Sequence, residues 1–360
     1  MQKPEPKLTH MPPHIKQMIT NGVDMGTKLA LSHLSKEFQT FVEDSPIQYY
    51  CLNIRVMPKK VVVLREARFK HDSDNIRESE RKTHMMEFHA RKRSVLMRNP
   101  KSGWKKVLAE KDYRKAAVQY FFGIIRPNTT IKELKWEICS VTRKSIRPRD
   151  PEDHNFSSLF PKKQFEEDRQ VIIAEMERLH KEFKHQLIVE HVRIDFQLTE
   201  CQIIKILGFL EPGTLKKITL CIHYPWVDKP FLNLEQISEM EQWKSAKKLS
   251  FSSYECDLPI EKWVNLKVLF IRLAKPQPTM KAMLEMFVSR LTFEHLNVEC
   301  LEDLDQTGVK EYLDDFEHLR TERFDIIRLP SDPTKEICIE YTTRAIEIRR
   351  WSLSYFKGHE

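Results

Sequence analysis

One pattern recurs along most of this chain and limits what it can fold into: a helical stretch, a turn, then a short strand of the form apolar-x-x-apolar-x-apolar. It reads Ile131-Lys-Glu-Leu134-Lys-Trp136, Val189-Glu-His-Val192-Arg-Ile194, Leu215-Lys-Lys-Ile218-Thr-Leu220 and Ala246-Lys-Lys-Leu249-Ser-Phe251. It continues as Leu266-Lys-Val-Leu269-Phe-Ile271, Leu296-Asn-Val298 behind Phe293, and Arg323-Phe324-Asp-Ile326. With Leu134, Val192, Ile218, Leu249, Leu269, Leu296 and Phe324 as anchors, the gaps are 58, 26, 31, 20, 27 and 28. Past the first they average about 26, inside the range of roughly 20 to 29 for leucine-rich-type repeats. The first gap fits two units with a polar insertion from Arg143 to Asn155.

Each strand is amphipathic with period 2, and each helix carries one apolar stripe, such as Ile203, Ile204, Ile206, Leu207 and Leu210, or Met280, Met283, Leu284, Phe287 and Leu291. A single unit cannot bury both faces, whereas stacked neighbours can. Pro212-Gly213 stands between helix and strand, where a left-handed residue is wanted. At the end, Glu336 to Tyr341 and Ala345 to Trp351 alternate around Thr342-Thr343 and predict a closing hairpin. The fold class is therefore α/β.

Glycine excludes much. Only 8 of 360 residues are Gly, and no two form G-x-G, so dinucleotide-binding and kinase glycine loops are absent. Gly208 and Gly213 have P-loop spacing, but Thr214-Leu215 follows where Lys-Ser/Thr is required. Seven scattered Cys without C-x-x-C predict reduced, mostly buried thiols and a cytoplasmic or nuclear protein. Neither a secretory leader nor a membrane-spanning run is expected. No H-E-x-x-H or G-x-S-x-G occurs, and His180 and His185 are five apart rather than four. The chain is accordingly expected not to be an enzyme, and to need no cofactor or metal.

Before the repeats lie two other zones. Residues 8–46 predict three short helices: Pro12-Pro13 suits a helix start, and Ile15, Met18 and Ile19 share one face. Gly22 and Gly26 mark a turn, and Leu31, Leu34, Phe38, Phe41 and Val42 recur at helical spacing. Residues 47–115 read as a basic, strand-rich connector with strands at Tyr50–Val56, Val61–Phe69, Met85–Phe88 and Val95–Met97. Over 51–115 there are 19 Lys/Arg and 8 Asp/Glu, an excess of 11 against +8 for the whole chain, so the basic character is local.

Leu210-Glu-Pro-Gly213-Thr-Leu215 and the later Ile237-Ser-Glu-Met-Glu241-Gln242-Trp243-Lys244-Ser-Ala246-Lys247 resemble the signature of nematode F-box proteins with an FTH domain, a large Caenorhabditis family. The resemblance covers residues 116–351, and the order of Met11-Pro12-Pro13, Ile15, Ile19, Leu29, Leu31, Leu34-Ser35-Lys36 and Phe41-Val42 is similar to the family's F-box. It implies an F-box-like helical unit (8–46), a basic connector (47–115) and an FTH domain with an irregular, leucine-rich-repeat-like αβ solenoid (116–351). It also implies a substrate-recognition subunit of an SCF-type ubiquitin ligase, with a Skp-type adaptor, a cullin ligase and a target protein as partners. By the family's motif, Pro13, Ile15, Ile19, Leu29, Leu31 and Leu34 contact the adaptor. The chain departs from the family at Gly22-Val23-Asp24-Met25-Gly26, where a Leu-Asp-Pro-like turn is usual.

Three further readings stand beside these. The Ile15/Ile19/Leu34 face serves equally as the core of three helices, or as a surface that a partner covers. A scaffold with a degenerate F-box would keep the interaction role without the ligase. Arg91-Lys92-Arg93, Lys101 and Lys105-Lys106 around Trp104 have the cations and the aromatic of a nucleic-acid surface. Interrupting carboxylates and the lack of a recognised module argue against nucleic acid. Trp243 is expected to be a packed repeat residue rather than a binding one.

Overall fold

The computed structural model describes residues 11–22, 47–57, 59–67, 82–109, 112–125, 129–138, 162–182, 186–195, 198–221, 231–252, 255–263, 265–273, 279–290, 292–300, 303–316, 318–320, 325–329 and 332–352. It is a mixed α/β protein of eight helices and seventeen strands among those residues. Contacts divide it into two compact units, 1–190 and 191–360, a line the repeat pattern does not draw.

The first unit contains α1 (Pro13–Gly22), β1 (Gln48–Met57), β2 (Lys60–Ala67), β3 (Lys82–Ala90), β4 (Ser94–Arg98), β5 (Lys105–Ala109), α2 (Tyr113–Gly123), β6 (Thr130–Ile138) and α3 (Lys162–Glu182). Its strands run in the order β6-β1-β2-β3-β4-β5, all neighbours antiparallel except β6 and β1. Thus Leu134, the first repeat anchor, pairs with Leu52 of β1. Alternation decides the faces. Leu52, Ile54, Val56, Val61, Val63, Phe88, Val95, Leu134 and Trp136 share one face by register, and all are buried. Against β1 to β4 packs α2, with Ala116, Ala117, Val118, Phe121 and Phe122 buried. The Asp112 carboxylate caps it by accepting from the Arg114 backbone N–H at 2.8 Å. Residues 47–115 contribute five strands to this sheet, of which β1 to β4 carry buried side chains.

The second unit begins within β7 (Ile188–Asp195), whose paired residues 191–194 belong to it. There follow α4 (Glu200–Gly208), β8 (Lys217–Cys221), β9 (Phe231–Asn233), α5 (Glu235–Ser238), α6 (Glu241–Ser245), β10 (Lys248–Ser252), β11 (Glu255–Asp257), β12 (Val268–Leu273), α7 (Met280–Ser289) and β13 (His295–Cys300). The rest comprises α8 (Val309–Asp314), β14 (His318–Arg320), β15 (Asp325–Leu329), β16 (Asp332–Tyr341) and β17 (Ala345–Ser352). Strands β7, β8, β10, β12 and β13 are parallel, and five anchors form one rung: Val192, Ile218, Leu249, Leu269 and Leu296. All five are at most 1% exposed. A shorter side ladder sets Leu232, Cys256 and Leu273 in register.

The last anchor behaves differently. Phe324 lies outside the described residues, and β15, which begins at the next residue, pairs antiparallel with both β14 and β16. Two residues join β15 to β16, whereas a parallel neighbour needs a crossover of about a dozen or more. The closing hairpin forms as expected, and β17 also pairs antiparallel with β13. Gly213 is left-handed at φ 83°, but in the turn before β8, several residues past the end of α4.

Trp243 is 3% exposed and stacks on Phe251, with ring centroids 5.6 Å apart. Its value is apolar area and shape, since the buried indole N–H meets no acceptor among the described residues. Trp243→Ala is expected to cost about 3 to 5 kcal/mol through the cavity it leaves. Differential scanning calorimetry should show a thermal midpoint lower by several degrees; an unchanged midpoint would mean the stack does not support the fold.

Candidate interaction surfaces

The amino-terminal candidate is α1. Pro12 supplies the carbonyl that accepts from the Ile15 and Lys16 N–H groups, and Pro13 occupies the first turn, where a missing N–H costs nothing. Pro13 is exposed, Ile15 and Ile19 are half-exposed, and Lys16 is buried at 3%. Met18, on the same face as Ile15 and Ile19 by sequence, is 68% exposed. The apolar face of α1 is thus only partly covered, which distinguishes it from an ordinary core stripe. Leu29, Leu31 and Leu34 lie outside the described residues.

The basic candidate sits at the β5 edge of the first unit's sheet. Between residues 82 and 109 eight Lys/Arg stand against one carboxylate, Glu87. Arg91-Lys92-Arg93 form the exposed β3–β4 turn; Lys101 and Trp104 lie in the β4–β5 connection, and Lys105-Lys106 open β5. Beside that turn is a depression of about 700 Å³ lined by Ala90, Arg91, Lys92, Arg93, Ala109, Asp112 and Tyr113, among others.

Glu87 is the electrostatic centre of this sheet, and nothing in the sequence beyond its isolation among cations marks it. Its side chain is 7% exposed. Lys60 Nζ donates to Oε1 at 3.1 Å, Arg98 Nε donates to Oε2 at 2.6 Å, and His89 Nε2 lies 2.9 Å from Oε2. Burial, the largest single effect, pushes the carboxyl up; hydrogen bonds from His89, Arg98 and Lys60 outweigh it and bring the pKa down to about 2.

Other ionic groups are structural. Arg114 joins Asp112 at 2.5 Å and Asp168 at 2.8 Å, tying the start of α2 to α3. Burial, then the Asp168 charge, pushes the adjacent Tyr113 phenol up. Glu133–Lys135 (3.1 Å) and Arg193–Asp195 (2.9 Å) are neighbouring pairs along β6 and β7. Burial raises the Cys51 thiol to about 12 and the Cys300 thiol to about 11, leaving them protonated and unreactive at neutral pH. Among the described residues no three His, Cys, Asp or Glu side chains cluster to hold a metal, and no helix is long and apolar enough to cross a membrane.

With this geometry described, comparison with known proteins adds one match. Residues 170–317 match the family model of the FTH domain. The matched segment runs from α3 past α8, and includes Leu210 to Leu215 and the Trp243 segment. It is narrower than the 116–351 expected from sequence, and residues 8–46 lie outside it. No curated protein matches the chain.

The Glu87 site yields a pH signature. The folded-state pKa lies below the ordinary 4.5, so the carboxylate contributes stability above about pH 4.5 that is lost as pH falls towards about 2. Glu87→Gln should therefore destabilise the protein at pH 7 by on the order of 3 kcal/mol. The deficit relative to wild type should shrink across that acid window in urea titrations. A deficit independent of pH would show that shape, not charge, is what Glu87 supplies.

Proposed function

We propose that this chain is a protein-interaction subunit that recruits a target to an SCF-type ubiquitin ligase. The FTH match over residues 170–317 carries the reading, because that domain is associated with F-box interaction proteins. In this reading residues 8–46 dock a Skp-type adaptor linked to a cullin ligase, through Pro13, Ile15, Ile19, Leu29, Leu31 and Leu34. The partly uncovered face of α1 supports it, since an F-box presents apolar side chains that only its partner covers. Residues 116–351 would form the target-binding repeat domain, with the five parallel strands of the second unit as its regular, solenoid-like part.

The protein would perform no chemistry itself; holding the target near the ligase raises its effective concentration. Free, buried thiols at Cys51, Cys256 and Cys300 suit a reducing compartment, cytoplasm or nucleus.

The test is capture of a purified Skp-type adaptor by the full-length chain and by Ile15→Asp/Met18→Asp. Met18 is 68% exposed, so its replacement should leave the fold intact, as circular dichroism can verify. Wild-type capture lost in the folded double variant is the expected result. No capture by a folded wild-type chain would reject ligase docking and favour a scaffold with a degenerate F-box.

A further inference from the structure

The open edge of β5 is a feature that the proposed docking through α1 does not use. Among the described residues β5 pairs with β4 alone. Asn99 N–H donates to the Trp104 carbonyl at 2.8 Å, which fixes the hydrogen-bonding alternation of the hairpin. The Trp104 carbonyl and the backbone groups of Lys106 and Leu108 face β4, while the Trp104 N–H donates to the Ser102 hydroxyl oxygen at 3.4 Å. Lys105, Val107 and Ala109 therefore point theirs outward, three N–H donors and three C=O acceptors in a row.

Side chains along this edge are equally open. All of β5 is exposed except half-exposed Leu108, with Val107 at 55% and neighbouring Trp104 at 45%. By period-2 alternation Lys105 and Val107 lie on one face, Trp104 and Lys106 on the other. Each face thus offers one cation beside one exposed apolar side chain. The nearest carboxylate of the sheet, Glu87, is already held by Lys60, His89 and Arg98, so it does not neutralise these lysines. Arg91, Lys92 and Arg93 prolong the positive surface around the depression that Ala109 also lines.

We propose that β5 receives an extended segment of a partner protein as an added strand, and that the segment reads apolar-acid-acid-apolar. The two acids meet Lys105 and Lys106, and the two apolar residues meet Trp104 and Val107. The motif is symmetric, so it satisfies the edge in either strand direction. Strand addition takes its affinity from main-chain hydrogen bonds and its specificity from alternate side chains.

Other occupants fit less well. A phosphate backbone would satisfy the cations but has no donor for the three outward carbonyls. A second copy of β5 would bring Lys105 and Lys106 against the same positive edge; lysines of this kind guard sheet edges against self-pairing. The proposal deepens the interaction reading by naming a target-facing site and the chemistry of what it takes. It rests on that reading only for the biological setting, because adaptor capture through α1 is a separate measurement.

The test is fluorescence anisotropy with the full-length chain and the labelled peptide Ser-Thr-Val-Glu-Glu-Val-Thr-Ser. Controls are its Val-Lys-Lys-Val counterpart, the same acidic peptide with alternate amides N-methylated, and a 20-base-pair DNA duplex. Val107→Pro removes one outward N–H without touching the β4 ladder, a substitution edge strands tolerate. Saturable binding of the acidic peptide is expected, weakened at least tenfold by N-methylation, by Val107→Pro and by Lys105→Glu/Lys106→Glu. Equal binding of the basic peptide, insensitivity to Val107→Pro in a folded variant, or no binding at all would overturn the proposal. Preferential duplex binding would overturn it in favour of nucleic acid, and self-association abolished by Val107→Pro would overturn it in favour of a second copy.

Discussion

The second unit depends on one row of side chains. Val192, Ile218, Leu249, Leu269 and Leu296 stand in register across five parallel strands, and the row passes through antiparallel pairing to Ile348 and Ile339. Burying each such side chain is worth about 1.5 to 3 kcal/mol, but the register matters more than the sum. A one-residue slip in any strand would turn its apolar series to the opposite face. The irregular spacing of the units is tolerated because the connections absorb it, while the rung does not vary. The row stops at Asp325, buried opposite Ile339, where the first charged side chain appears.

In the first unit the same alternation serves two different faces. The face under α2 carries the buried apolar side chains from Leu52 and Leu134 to Phe88 and Val95, and the other carries Asn53, Arg55, Lys60, Glu87, Arg98, Lys135 and Glu137. Arg55 and Glu137 pair across β1 and β6 at 2.5 Å, and Glu87 gathers its three cationic or imidazole neighbours. Placing one buried carboxylate amid such a basic sheet offsets repulsion among Lys60, His89 and Arg98. Farther out, at β5, no ion pair among the described residues involves Lys105 or Lys106, and their charge faces solvent.

Much of this was legible because it is local. Strands β1 to β4 fall within about three residues of their sequence readings, since period-2 alternation needs no knowledge of partners. The anchors were found for the same reason, and the buried state of Trp243 follows from its place between a helix and a Leu-rich strand. What sequence did not show is pairing direction and partner choice. Leu134 obeys the repeat pattern yet pairs with β1, and the strand after Phe324 obeys it yet runs antiparallel. Both outcomes are set by connection length and distant strands, which the motif does not encode. Strand β5 was missed because Lys-Lys-Val-Leu-Ala lacks a buried face to alternate with. On α1, Lys16 is buried while Met18 is exposed, a reversal no hydropathy rule anticipates.

The same accounting separates structural polarity from recognition. Carboxylates with lowered pKa values, such as Glu87, Asp112, Glu137 and Glu347, owe them to hydrogen bonds that outweigh burial, and their partners are part of the fold. Raised thiols at Cys51, Cys256 and Cys300 owe theirs to burial first. A group whose perturbation is fully explained by folding has no need of a substrate to account for it. The open positions are of another kind: Met18 on a helix face, and Trp104, Lys105, Lys106 and Val107 on a strand edge. A fold that holds these buried carboxylates with its own donors, yet leaves a donor–acceptor row beside apolar and cationic side chains, concentrates its remaining interactions where another polypeptide can use them.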